Sequence, residues 1–170
     1  MPNAGAEPVA DPVPGRSHRP GPGIAAIVLG VVALDQLTKA WAVRSLADGP
    51  VRLVGSVVSL HLTRNSGGAF SILQGATPLL AVAAIVLTVL LVRAVHRSSD
   101  RLVQVGLALV VGGALGNLVD RCTRSPGFLR GEVVDFVAVW RWPVFNVADS
   151  AVTVGAVVLV VAAFRRPVAP

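Results

Sequence analysis

Gly112-Gly113-Ala114-Leu115-Gly116-Asn117-Leu118-Val119-Asp120-Arg121 carries an apolar, glycine-rich run straight into an amide, a carboxylate and a guanidinium. A carboxylate beside hydrocarbon is costly to keep ionised, so it is rarely there without a job. Working outward, the run before it spans 102–119, and three more apolar runs occupy about 24–43, 78–95 and 148–164. Each is near the ~20 residues that cross ~30 Å of hydrocarbon as a helix. The reading is an all-α membrane protein built as a four-transmembrane-helix bundle.

Composition agrees. Of 170 residues, 54% are apolar and 14% charged, where a soluble domain carries about 25% charged. The net charge of +6 comes from fourteen arginines and one lysine against nine acids. These basic residues flank the apolar runs and form no stripe, which argues against nucleic acid. Cys122 is the single cysteine, and His18, His61 and His96 lie on separate segments. Neither a disulfide nor a metal site is expected, and no cofactor. Residues 1–23 hold six prolines and four glycines and read as a disordered tail; 165–170 form a second tail.

Arg16 and Arg19 precede span one, Arg93, Arg97 and Arg101 join spans two and three, and Arg165 and Arg166 end span four. Basic flanks mark the cytoplasmic side, so both termini are expected there. Arg121, Arg124, Arg130 and Arg141 fall on the other side and ask for carboxylate partners. Two long segments lie outside. Within 48–77, residues 51–54 and 57–62 are rich in β-branched residues and predict short strands, followed by a turn at Gly67-Gly68. Residues 121–147 contain Trp140 and Trp142, which favour the headgroup level.

The candidate chemistry sits at span ends. Asp35 and Lys39 are four apart and share a helix face; an ion pair or a snorkelling lysine accounts for them, and a Ser/Lys hydrolase lacks an obvious nucleophile nearby. Asn65 precedes a glycine turn and has an amide to offer. Gly112 and Gly116 permit close helix approach, while Asn117, Asp120 and Arg121 share the end of span three. Asn146 reads as an N-cap with Asp149 in the first turn. Asp135 interrupts the apolar run Val133-Val134-Asp135-Phe136-Val137. Asp135 and Asp149 bracket one surface segment, and two close carboxylates cannot both ionise comfortably. One holds a proton and polarises a carbonyl; the other activates water.

Five blocks in order resemble the lipoprotein signal peptidases (signal peptidase II) across about 24–164. They are Asp35-Gln36-Leu37-Thr38-Lys39, Asn65-Ser66-Gly67-Gly68-Ala69-Phe70, the 112–121 stretch, Val133-Val134-Asp135-Phe136, and Phe145-Asn146-Val147-Ala148-Asp149-Ser150. The resemblance implies an aspartyl endopeptidase of the bacterial cytoplasmic membrane with its site near the outer face. It would remove signal peptides from diacylglyceryl-modified prolipoproteins by cutting just before the lipobox cysteine. The implied catalytic pair is Asp135 and Asp149. Asp35, Lys39, Asn65, Gly67, Asn117, Asp120, Arg121 and Asn146 would support it or bind substrate. The resemblance also implies a small extracytoplasmic β-cradle from 48–70, a short extracytoplasmic helix and loop within 121–147, and inhibition by globomycin. Membrane lipid is the implied surrounding, Arg121 or Arg124 a headgroup phosphate ligand, and a monomer the expected state. Gly68 departs from the expected alanine, and the Asp135–Asp149 connection is short. Two rivals remain at this point: a proton-coupled transporter, which needs carboxylates spread through the membrane depth, and a structural subunit, which tolerates Asp→Asn.

Overall fold

The computed structural model describes residues 21–67 and 77–165. The tail within 1–20, the Gly68 departure with Ala69 and Phe70, and residues 166–170 lie outside them. Four helices are long and apolar enough to cross a membrane: α1 (Pro22–Ser45), α2 (Thr77–Arg97), α3 (Arg101–Thr123) and α4 (Val147–Phe164). Their ends follow local chemistry. Pro22 opens α1, where a missing N–H costs nothing. The Asp100 side chain accepts from the N–H groups of Leu102 and Val103 at the start of α3. Asn146 and Asp149 form a reciprocal capping box on α4.

Three strands complete the fold: β1 (Val51–Val54), β2 (Val58–Asn65) and β3 (Val133–Val139), antiparallel in the order β1-β2-β3. Here the structure corrects the sequence reading. Residues 124–146 form turns and a strand, with no short helix among them, so the described chain is not all-α. The reason is local: Val133, Val134, Val137 and Val139 are stiff at χ1 and favour a pleated surface. β2 is the central strand and holds β3 in register, pairing Asn65 with Val133 and Thr63 with Asp135. The register shifts between Leu60 and Thr63, immediately beside the Asp135 pair. Such irregularities re-aim side chains.

The sheet packs on the bundle end through Ala42 and Leu46 of α1 against Val134 and Phe136 of β3. Trp41 adds an edge-on ring contact to Phe136, centroids 6.3 Å apart. At the other end Ile24, Val95, Leu107 and Ala108 close the bundle. α3 lies against all three other helices. Its small residues face two ways: Gly112 and Gly116 toward Val31 and Asp35 of α1, Gly113 toward Ala148 of α4. A β-carbon on Gly113 would overlap the Ala148 carbonyl oxygen, which is backbone and cannot swing aside. Gly113→Ala should therefore push α3 from α4 and destabilise the protein by about 1–3 kcal/mol, the usual cost of overpacking. A thermal melt in detergent reads this; an unchanged midpoint contradicts the close approach.

Candidate active site

Asp135 is on β3 and only 3% exposed. Asp149 is in the first turn of α4 and half-buried. Asn146 joins them. Its Oδ1 accepts from the Asp149 N–H at 2.9 Å, so its Nδ2 is the end left to face β3. That Nδ2 donates to Asp135 Oδ1 at 2.6 Å, to Asn117 Oδ1 at 3.1 Å and to the Val134 carbonyl at 3.3 Å. The Asn146 N–H in turn donates to Asp149 Oδ2 at 3.2 Å. One residue thus binds both carboxylates.

The remaining oxygens are also held. Asn65 Nδ2 donates to Asp135 Oδ2 at 3.2 Å, while Asn65 Oδ1 accepts from the Gly67 N–H at 3.0 Å. This Asx turn orients the amide before it reaches the carboxylate. Asn117 Nδ2 donates to Asp149 Oδ1 at 2.9 Å. Its orientation follows from Lys39, whose ammonium has no acceptor and donates to Asn117 Oδ1 at 2.9 Å. Burial, reinforced by the negative charge of Asp149, pushes the Asp135 carboxyl up to about 6. The donors Asn65 and Asn146, and the Lys39 charge, pull the other way but do not cancel it.

Beneath the pair lies a buried ionic cluster. Lys39 Nζ is 2.8 Å from Asp35 and 3.0 Å from Asp120, and all three side chains are fully buried. Asp120 Oδ1 takes Arg124 Nε at 2.7 Å, so the partly exposed Arg124 has a carboxylate partner within the protein. Arg121 is buried, 8% exposed, and donates from Nη2 to the Gly67 carbonyl at 2.8 Å. Its Nη1 is buried with no hydrogen-bond partner among the described residues.

Asp135, Asp149, Asn65, Gly67, Asn117 and Arg121 line a cleft of about 590 Å³ between the sheet and the ends of α3 and α4. Its far wall is Trp142, Pro143, Val144 and Phe145, and it continues down α4 along Val152 and Thr153. Asp35, Lys39, Asp120 and Asn146 do not reach it. All ten residues singled out by sequence gather around the N-terminus of α4 rather than spreading through the bundle. Sequence reasoning missed Gln36, whose amide donates to Asp35, Asp120 and the Gly116 carbonyl at 3.0–3.2 Å. It also left the Arg124–Asp120 pair unassigned, although their spacing of four on α3 signals it.

The chain that carries this arrangement has known relatives. A model of the family described as "Signal peptidase (SPase) II" matches residues 27–165. The chain belongs to the signal peptidase II family. It is therefore an aspartic peptidase, and its four apolar helices make it a multi-pass membrane protein. A "Lipoprotein signal peptidase" of Rhodococcus jostii is 51% identical over 137 residues, 79% of this chain and 69% of that one. The protein of that name from Mycolicibacterium smegmatis is 46% identical over 165 residues, 91% of this chain and 68% of that one. A solved "Bacterial membrane enzyme" superposes with TM-score 0.74 at 28% identity, covering 84% of this chain and 88% of that one.

Proposed function

We propose that this signal peptidase II member removes the signal peptide from diacylglyceryl-modified prolipoproteins by cutting just before the lipobox cysteine, with Asp135 and Asp149 as the catalytic pair. The observation that carries this is Asn146, bonded to both carboxylates at the edge of one cleft. Asp135, the more buried acid, holds the proton and donates it toward the scissile carbonyl oxygen. Asp149, open to water, takes a proton from the attacking water, whose oxygen bonds to the carbonyl carbon. The tetrahedral gem-diol collapses as Asp149 passes that proton to the cysteine nitrogen, the C–N bond breaks and one hydroxyl returns its proton to Asp135; the new carboxylic acid ionises to solvent on release. The signal peptide leaves as a carboxylate and the lipoprotein as an amine.

Acylation fits the same geometry. Lipid chains confine the substrate to one leaflet, so its scissile bond sits at fixed depth. The wall along Val152 and Thr153 receives an apolar signal peptide from the lipid side. In this reading the sheet is the extracytoplasmic cradle, residues 24–164 form the peptidase domain, and both termini are cytoplasmic. Trp140 and Trp142, 75% and 67% exposed, rest at the headgroups, with Arg141 stacked 5.5 Å over the Trp140 ring. Globomycin should inhibit.

The test is cleavage of a synthetic prolipoprotein, diacylated or not, by the purified protein with and without chelator. Cutting of the acylated form alone, unaffected by chelator, is expected. Equal cutting of both forms sinks the substrate assignment, and no cutting of either sinks the reading.

The raised Asp135 carboxyl also makes a stability prediction. Between about pH 4 and about pH 6 the folded state binds more protons here than the unfolded chain. Stability from this group therefore falls as pH rises through that window. Asp135→Asn should flatten the slope in thermal melts; a parent–variant difference independent of pH would contradict the shift.

A further inference from the structure

Asp35, Lys39 and Asp120 cannot be substrate ligands as they stand: none is exposed and none lines the cleft. Burying one cation and two carboxylates costs several kcal/mol per ion unless geometry returns it. What the cluster holds is specific. Lys39 Nζ uses its three hydrogens on Asp35 Oδ2, Asp120 Oδ2 and Asn117 Oδ1, at 2.8, 3.0 and 2.9 Å. Asp35 Oδ1 accepts from the Ala148 N–H at 3.0 Å, and Ala148 is the residue before Asp149. Asp120 Oδ2 accepts from the Val134 N–H at 3.0 Å, and Val134 is the residue before Asp135. One ammonium thus grips two carboxylates, and each grips the backbone one residue upstream of one member of the pair. The third hydrogen sets the Asn117 amide that donates to Asp149. Gly116 makes room: a β-carbon there would stand 2.7 Å from Asp35 Oδ2.

We infer that Asp35, Lys39 and Asp120 are positioning residues, a two-armed clamp that sets the gap between Asp135 and Asp149. The inference rests on the proposed catalytic pair. The clamp spans α1, α3, β3 and α4, and the last three of these line the cleft that a substrate would enter. A misplacement of about 1 Å in a catalytic group can cost about 100-fold.

The test compares Asp35→Leu and Asp120→Leu with Asp35→Asn and Asp120→Asn. Asparagine keeps an acceptor oxygen for the backbone N–H; leucine does not. The leucine variants should lose about 100-fold in kcat with KM within about threefold, and the asparagine variants should recover to within about tenfold of the parent. The gap also sets how strongly the two carboxylates couple. Asp135 faces Asp149 on α4, Arg121 on α3 and Lys39 on α1. Its titration, followed by infrared difference spectra against Asp135→Asn, should move in Asp120→Leu and stay in Asp120→Asn. A rise in KM with kcat unchanged overturns the inference, because it means substrate contact. So does equal loss in the leucine and asparagine variants, or an unmoved Asp135 titration. If the leucine variants do not fold, asparagine variants below a hundredth of parental kcat also overturn it. The spectra need no cleavage, so failure of the clamp is separable from failure of the peptidase reading, which parental cleavage and its loss in Asp149→Asn decide.

Discussion

Asp135→Asn and Asp149→Asn should each lower kcat by at least about 1,000-fold while leaving the protein folded. Positioned acid–base groups contribute about 10²–10⁴ each, and here two must act in one transition state. Asparagine is nearly the same shape. At position 149 its Oδ1 can still accept from Asn117 and its N–H can still donate to Asn146 Oδ1, so the cap holds although the return bond from the Asn146 N–H is lost; at position 135 its Oδ1 can still accept from Asn146. What disappears is the group that takes a proton from water in one case and the group that gives one to the carbonyl in the other. The double variant should be no worse than the worse single one, since residues acting as a unit do not add. Steady-state cleavage with a melt on each variant checks this. Residual activity above about a tenth in either folded variant would remove that residue from the chemistry and return the structural-subunit reading.

The four helices were legible because apolar length is a strong signal: nothing but a span explains the run before Asn117, or the one after Asp149. β1 and β2 were legible from Val51, Val54, Val57 and Val58 with their intervening turn. β3 was not, because Val133-Val134-Asp135-Phe136-Val137 is equally compatible with buried helix; its pairing with Asn65 and Thr63 is a contact of some seventy residues' separation that periodicity does not carry. Site residues were legible as types at span ends, and the five blocks in order gave them a common identity. Their connections were less so. That Asp35 reaches the N–H of Ala148, or that Asn146 faces both acids, depends on how α1, β3 and α4 converge. Arg121 shows the limit most clearly: at the end of a span it reads equally as a headgroup residue or a site residue, and its burial against Gly67 comes only from the fold.

Asn146 carries the other large effect, and it separates two functions in one side chain. As the cap of α4 it accepts from the Asp149 N–H. As a bridge it donates to Asp135, Asn117 and the Val134 carbonyl. Asn146→Ala removes both. Losing the cap costs about 1 kcal/mol, and leaving buried acceptors unmade costs about 1–3 kcal/mol more. Catalysis should fall by about 100-fold or more, since Asp135 loses its 2.6 Å donor and the pair its link. Asn146→Asp is the discriminating change. Aspartate caps helices about as well as asparagine, so the α4 end should hold. Yet it replaces the donor facing Asp135 Oδ1 by a third carboxylate oxygen, which repels or competes for the shared proton. The expected result is a better-capped helix than in Asn146→Ala and an enzyme just as inactive. Thermal melts and cleavage rates on the two variants decide it. Recovery of cleavage in Asn146→Asp would reduce Asn146 to a cap and leave the two aspartates to find each other without it.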